Sequence, residues 1–194
     1  VKVDNQHVQQ KVFDSAKKLL FTRGVKGWNT DMLAREAGLA KNTLYKIIGS
    51  KEQIVEAVAM AQVRENAESA AAFLQTGIDW ADKQKTLQAV RTALERFTSN
   101  MSRFEPVVLP QIYLQYPGVE VKINALVKDL TLLAHDFFRQ AKDHGFIRPE
   151  VDPEVVMDMA RAMVAHYIRQ GADRSEFEDR VKKAFDYVLQ GIAA

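Results

Sequence analysis

Residues 29–51, NTDMLAREAGLAKNTLYKIIGSK, hold two short apolar patterns at helical spacing, separated only by Gly38, Leu39 and Ala40. So short a turn, opened by a glycine that can take the left-handed conformation ending a helix, defines a helix-turn-helix. The first helix is predicted to begin after Asn29, whose side-chain oxygen can accept from the free N–H groups of the opening turn. Asp31 in that turn suits the positive end of the helix dipole. Leu33, Ala34 and Ala37 give a buried stripe, and Leu39 is expected to fill the angle between the two helices.

In the second helix, a step of about 100° per residue gathers Leu44, Ile47 and Ile48 on one side. Asn42 and Lys46 point the opposite way, flanked by Lys41, Thr43 and Tyr45. That outward face matches the chemistry of duplex DNA. Lys can donate to guanine O6/N7 or to phosphate, Asn can pair with adenine, and the Thr and Tyr hydroxyls can reach phosphates. Any surface helix shows such residues to water, so the face alone does not decide its use.

A more specific signal is the combination Val12, Ala16, Leu19-Leu20-Phe21, Gly24, Leu33-Ala34, Ala37-Gly38-Leu39, Thr43-Leu44-Tyr45 and Ser50-Lys51-Glu52. With these residues at these spacings, roughly the first quarter of the chain resembles the TetR family of bacterial transcriptional regulators. The family pattern usually has Ser where Ala40 stands. The resemblance implies DNA contacts from Thr30, Lys41, Asn42, Thr43, Tyr45, Lys46 and Lys51. Lys51 falls in the first turn of a helix capped by Ser50, where a cation opposes the helix dipole. A phosphate gripped by its ammonium and the helix N-terminal N–H groups would account for that placement.

Charge is distributed unevenly. Residues 1–52 carry ten Lys/Arg against five Asp/Glu, and the rest seventeen against twenty, giving the overall +2. A basic head on a mildly acidic body suits attraction to DNA phosphate. No stretch approaches the roughly 18 apolar residues of a membrane span, and the polar opening VKVDNQHVQQK does not read as a signal peptide, so a cytoplasmic protein is expected. The absence of cysteine excludes disulfides and thiol chemistry.

Helical patterns continue to the C-terminus. A first helix, from about Asp4 to Arg23, braces the reading pair and stops at Gly24, and Trp28 is expected to pack inward. After Ser50 a helix runs through Ile54, Val55 and Val58 to about Leu74, and Gly77 marks a loop. Leu87, Val90, Leu94, Phe97 and Met101 form the next stripe. Pro106 to Pro117, PVVLPQIYLQYP, is the oddest segment: Pro110 removes a helix donor, and the segment is expected either to fill the core awkwardly or to line a cavity. A long helix from about Val119 to His144, one opened by Asp152-Pro153 and stopping at Gly171, and one starting near Ser175 complete the chain. The expected fold is all-α, with about nine helices: a three-helix DNA-binding domain at residues 1–52 and a helical effector-binding and dimerisation domain at residues 53–194.

Wide apolar stripes on the last two helices need a cover, and the resemblance implies a homodimer reading a palindromic operator. It also implies a small-molecule effector in the body. Phe97, Met101, Phe104, Tyr113, Tyr116 and Phe137 are the candidate lining, with Arg103 among the polar anchors, and the expected ligand is largely apolar. His7, His135, His144 and His166 are too scattered for a metal-ligand set, and neither a phosphate loop nor a nucleophile elbow is present. No enzyme activity, metal or cofactor is expected. The competing readings are a helix-turn-helix protein without an effector and a helical-bundle enzyme.

Overall fold

The computed structural model describes residues 5–75, 78–102, 104–170 and 173–193. Gly77, Arg103 and Gly171, assigned above to a loop, a polar anchor and a helix stop, lie outside them. Nine helices occupy the described residues: α1 (Asn5–Arg23), α2 (Thr30–Ala37), α3 (Lys41–Ile48), α4 (Lys51–Leu74), α5 (Lys83–Ser102), α6 (Glu105–Gln115), α7 (Pro117–Asp143), α8 (Pro153–Gln170) and α9 (Arg174–Ile192). No strand is present among them; Ile147 and Ala193 form an isolated bridge.

Local chemistry sets the helix ends. The Asn29 side chain accepts from the Met32 N–H at 2.9 Å, and Gly38 closes α2 in the left-handed region at φ 64°. Ser50 Oγ accepts from Gln53 N at 3.2 Å to open α4. Asp152 caps α8 through the Glu154 N–H, and Asp173, two residues before the expected start, caps α9 through the Glu176 N–H. Ala40 offers α3 no side-chain cap, so its first turn relies on packing and on the Ala40 carbonyl, which accepts from Thr43 and Leu44.

The proline-interrupted segment is a continuous helix, α6, with Pro106 in its first turn and Pro110 inside. It fills the core: Phe104, Val108, Leu109 and Ile112 are almost wholly buried. The missing Pro110 N–H leaves the Pro106 carbonyl without its helical donor, a cost offset by that burial.

One core cluster runs from Val12, Leu20 and Leu44 in α1–α3 through Val55, Val58 and Val63 of α4 to Phe104, Ile112, Ile123 and Phe177 of the body. Head and body therefore share an interior. The boundary at residues 52/53 falls within the first turn of α4, a helix that packs on α1 at one end and along α7 and α5 further on.

Candidate functional site

The N-terminal face is built on Leu44, fully buried, and Ile48, which seat α3 against α1 and α2. That seating leaves Lys41, Asn42, Thr43, Tyr45 and Lys46 exposed on one surface. Thr30, at the start of α2, comes to the same surface, its hydroxyl 2.8 Å from the Tyr45 hydroxyl. Lys41 Nζ pairs with Asp31 Oδ1 at 2.6 Å, and that hydrogen bond and charge raise its pKa above the ordinary lysine value. The pairs Thr30–Tyr45 and Asp31–Lys41 tie the two helices together on the outward side. Lys46 and Asn42 make no such tie among the described residues. An exposed helix with unengaged Asn and Lys side chains, held rigidly from behind, is a surface that can enter a major groove.

Lys51 is placed differently from the other six. Its ammonium donates to the Val25 carbonyl at 2.6 Å and the Trp28 carbonyl at 2.5 Å, and lies 4.4 Å from the Trp28 ring centroid. Burial lowers its pKa from the ordinary lysine value. It turns inward to cap the connection between α1 and α2. Trp28 itself is buried, as its sequence position suggests. The same connection is held from the other side, where Gln111 of α6 accepts the Val25 N–H at 2.9 Å. Nothing in sequence spacing links residue 111 to residue 25.

The body contains a cavity of about 610 Å³ walled by α4, α5, α7, α8 and α9, within the range of small-molecule sites. Of the six residues expected to line it, Phe97 and Phe137 do. Met101, Phe104, Tyr113 and Tyr116 do not: Met101 and Phe104 are buried in the shared core, the Phe104 ring 5.0 Å from that of Phe21 in α1, and both tyrosines pack on that core. The α6 segment that suggests a cavity wall is thus spent on joining body to head. Walls that the sequence does not single out include Phe73, Phe138, Phe146, Met157, Phe185 and Leu189. Their signal is present as apolar stripes, but those on α8 and α9 read as a dimer interface. The surplus left exposed on these helices is Val155 (53% exposed), Met159 (58%) and Tyr187 (70%).

Among the described residues no group of three or more His, Cys, Asp or Glu side chains is gathered to hold a metal ion, and no helix is long and apolar enough to cross a membrane.

A rigidly backed, exposed α3 joined to a helical body defines the class as an all-α helix-turn-helix protein. Residues 12–58 match the model described as bacterial regulatory proteins, tetR family, so the N-terminal domain is similar to the DNA-binding domain of that family. Solved structures share the whole architecture. The TetR family transcriptional regulator PfmR from Thermus thermophilus is 22% identical, covers 92% of this chain and 97% of its own, and superposes with a TM-score of 0.68. NalD, the secondary repressor of the MexAB-OprM multidrug efflux pump in Pseudomonas aeruginosa, is 16% identical over 99% of this chain and 98% of its own, with a TM-score of 0.64. The ketosteroid transcriptional regulator KstR2 of Mycobacterium tuberculosis is 16% identical over 96% and 95%, with a TM-score of 0.63. None of the curated proteins matches the chain in sequence.

Proposed function

We propose that this protein is a ligand-responsive transcriptional regulator, a repressor in mode, that binds a palindromic operator as a homodimer and is released by a small, largely apolar effector. The carrying observation is the exposed polar face of α3, backed by the buried Leu44 and Ile48. Within it, Asn42, Lys46, Thr43 and Tyr45 face the groove, Thr30 and Lys41 meet the backbone at its edge, and Lys51 supports the surface from behind. The apolar cavity between α4 and the last two helices favours an effector over an effector-free DNA-binding protein. Repression accords with NalD, a repressor of the same fold.

Dimerisation rests on α8, where Val155 and Met159, one turn apart, leave an apolar face uncovered beside Ala162 and His166. A twofold pair of such faces would set two α3 helices on successive major grooves.

Selection of binding sites from random duplexes tests the proposal. A palindromic consensus is expected, and replacing Asn42 or Lys46 should relax preference at particular base pairs. Failure to enrich any sequence at moderate salt would sink the proposal.

A further inference from the structure

The cavity is apolar but not neutral at its edge. Among the described residues, five of those lining it are polar: Ser69 on α4 and Lys85, Gln88, Thr92 and Arg96 on α5. At 100° per residue the four α5 positions fall within about 80° of one another, forming a polar strip along one side of that helix. Lys85, Gln88, Thr92 and Arg96 are all exposed, so the strip lies at the mouth, while phenylalanine, leucine and valine occupy the interior. Of the described lining residues two are cationic and none is acidic. That bias runs against the body as a whole, in which Asp and Glu outnumber Lys and Arg.

The two cations are not equivalent. Lys85 Nζ lies 3.0 Å from Asp82 Oδ2, a carboxylate outside the lining, and is already compensated. Arg96 makes no ion pair among the described residues. Its guanidinium presents a planar fork of donors suited to the two oxygens of a carboxylate.

We infer that the effector is an amphipathic monoanion, its apolar body in the cavity and its anionic head at Arg96. This deepens the effector reading above and rests on it for the identity of the site. An uncharged ligand would gain nothing from Arg96, and a cationic one would be repelled by it. The head remains wetted at the mouth, so it confers a modest preference for charge sign, while the buried body supplies most of the affinity.

The test is direct binding to the full chain without DNA, by calorimetry at pH 7, with dodecanoate, dodecanol and dodecyltrimethylammonium below their aggregation concentrations. Dodecanoate is expected to bind about fivefold to tenfold more tightly than dodecanol, and dodecyltrimethylammonium more weakly than either. Shortening the carboxylate should weaken binding about fourfold per methylene removed. Arg96→Gln should abolish the preference for carboxylate over alcohol while leaving dodecanol affinity unchanged, and Lys85→Gln should retain the preference within about twofold. Equal affinity for carboxylate and alcohol, or an Arg96→Gln variant that keeps the preference, overturns this inference and leaves an apolar effector standing. No binding of any of the three probes overturns it together with the effector reading.

Discussion

Lys51→Met separates two uses of one side chain. Methionine keeps the length and apolar stem but removes the ammonium that bridges the Val25 and Trp28 carbonyls. Hydrogen bonds to charged groups contribute about 1.5–3 kcal/mol each, and a cation over an indole face adds about 0.5–2 kcal/mol. Against these stand the desolvation that lowers the Lys51 pKa and about 2 kcal/mol of rotamer entropy in holding a lysine still. The net expectation is a loss of about 2 kcal/mol, which at a urea slope near 2 kcal/mol/M moves the midpoint down by about 1 M. The companion measurement is operator affinity against salt concentration. A structural Lys51 leaves the slope of log affinity against log salt unchanged, because no phosphate counterion release is lost. A phosphate-gripping Lys51 reduces that slope by about 0.9 for each contact removed. An unmoved urea midpoint with a flattened salt slope would refute the structural role and restore the family expectation for this position.

Three further outcomes follow from the geometry. Met159→Glu places a charge on the exposed α8 face and should yield a folded monomer by sedimentation at micromolar concentration, with an unchanged helical signal; a persistent dimer would place the interface elsewhere. Glu178 accepts from the buried Ser102 hydroxyl and from Arg174, and these hold its pKa below the ordinary 4.5, the hydroxyl first. A depressed folded pKa stabilises above that ordinary value and is lost as pH falls through the lower one, so the cost of Ser102→Ala, about 1–2 kcal/mol at pH 7, should shrink in urea titrations repeated below about pH 4. Gln111→Leu strands the Val25 N–H and should cost about 1–3 kcal/mol in the same assay; a midpoint equal to wild type would mean that the α6 hold on the connection is dispensable.

Legibility in the sequence follows the range of the interactions. The caps at Asn29 and Ser50, the stop at Gly38 and the outward face of α3 depend on neighbours within one or two turns, and the structure shows each of them. Lys51 marks the limit: its conflict with the helix dipole is visible, but its partners lie 23 and 26 residues away and are backbone carbonyls, which carry no residue identity. The cavity is harder still. Met101 and Phe104 share the composition of cavity walls, and only the path of α6 against α1 decides that they are packed solid while Phe73 and Phe185 face space. Period and polarity identify an apolar face; what covers it is a property of the whole assembly.

The shared core restricts how the cavity can act on the DNA-binding face. α4 contributes Ser69, Ala70, Phe73 and Leu74 to the cavity and begins at the Ser50 cap, immediately after Gly49 ends α3, so about 27 Å of helix separates Lys51 from Ser69. Lys51 ties the first turn of α4 to the Val25 carbonyl, while Gln111 and Phe104 hold Val25 and Phe21 of the head against the body. A ligand moves such a helix only by preferring one of two packed arrangements, and reversing a 99:1 population requires about 10⁴-fold preference, or about 5.5 kcal/mol. At about 25 cal/mol per Å² that corresponds to about 220 Å² more apolar surface buried in one arrangement than in the other. Contacts at the mouth are too wet to supply that difference. Under the proposed effector reading, the discrimination would come from the aromatic interior closing on the apolar body in one arrangement only; head-group charge would then set which ligand binds, and the fit of its body whether the operator is released.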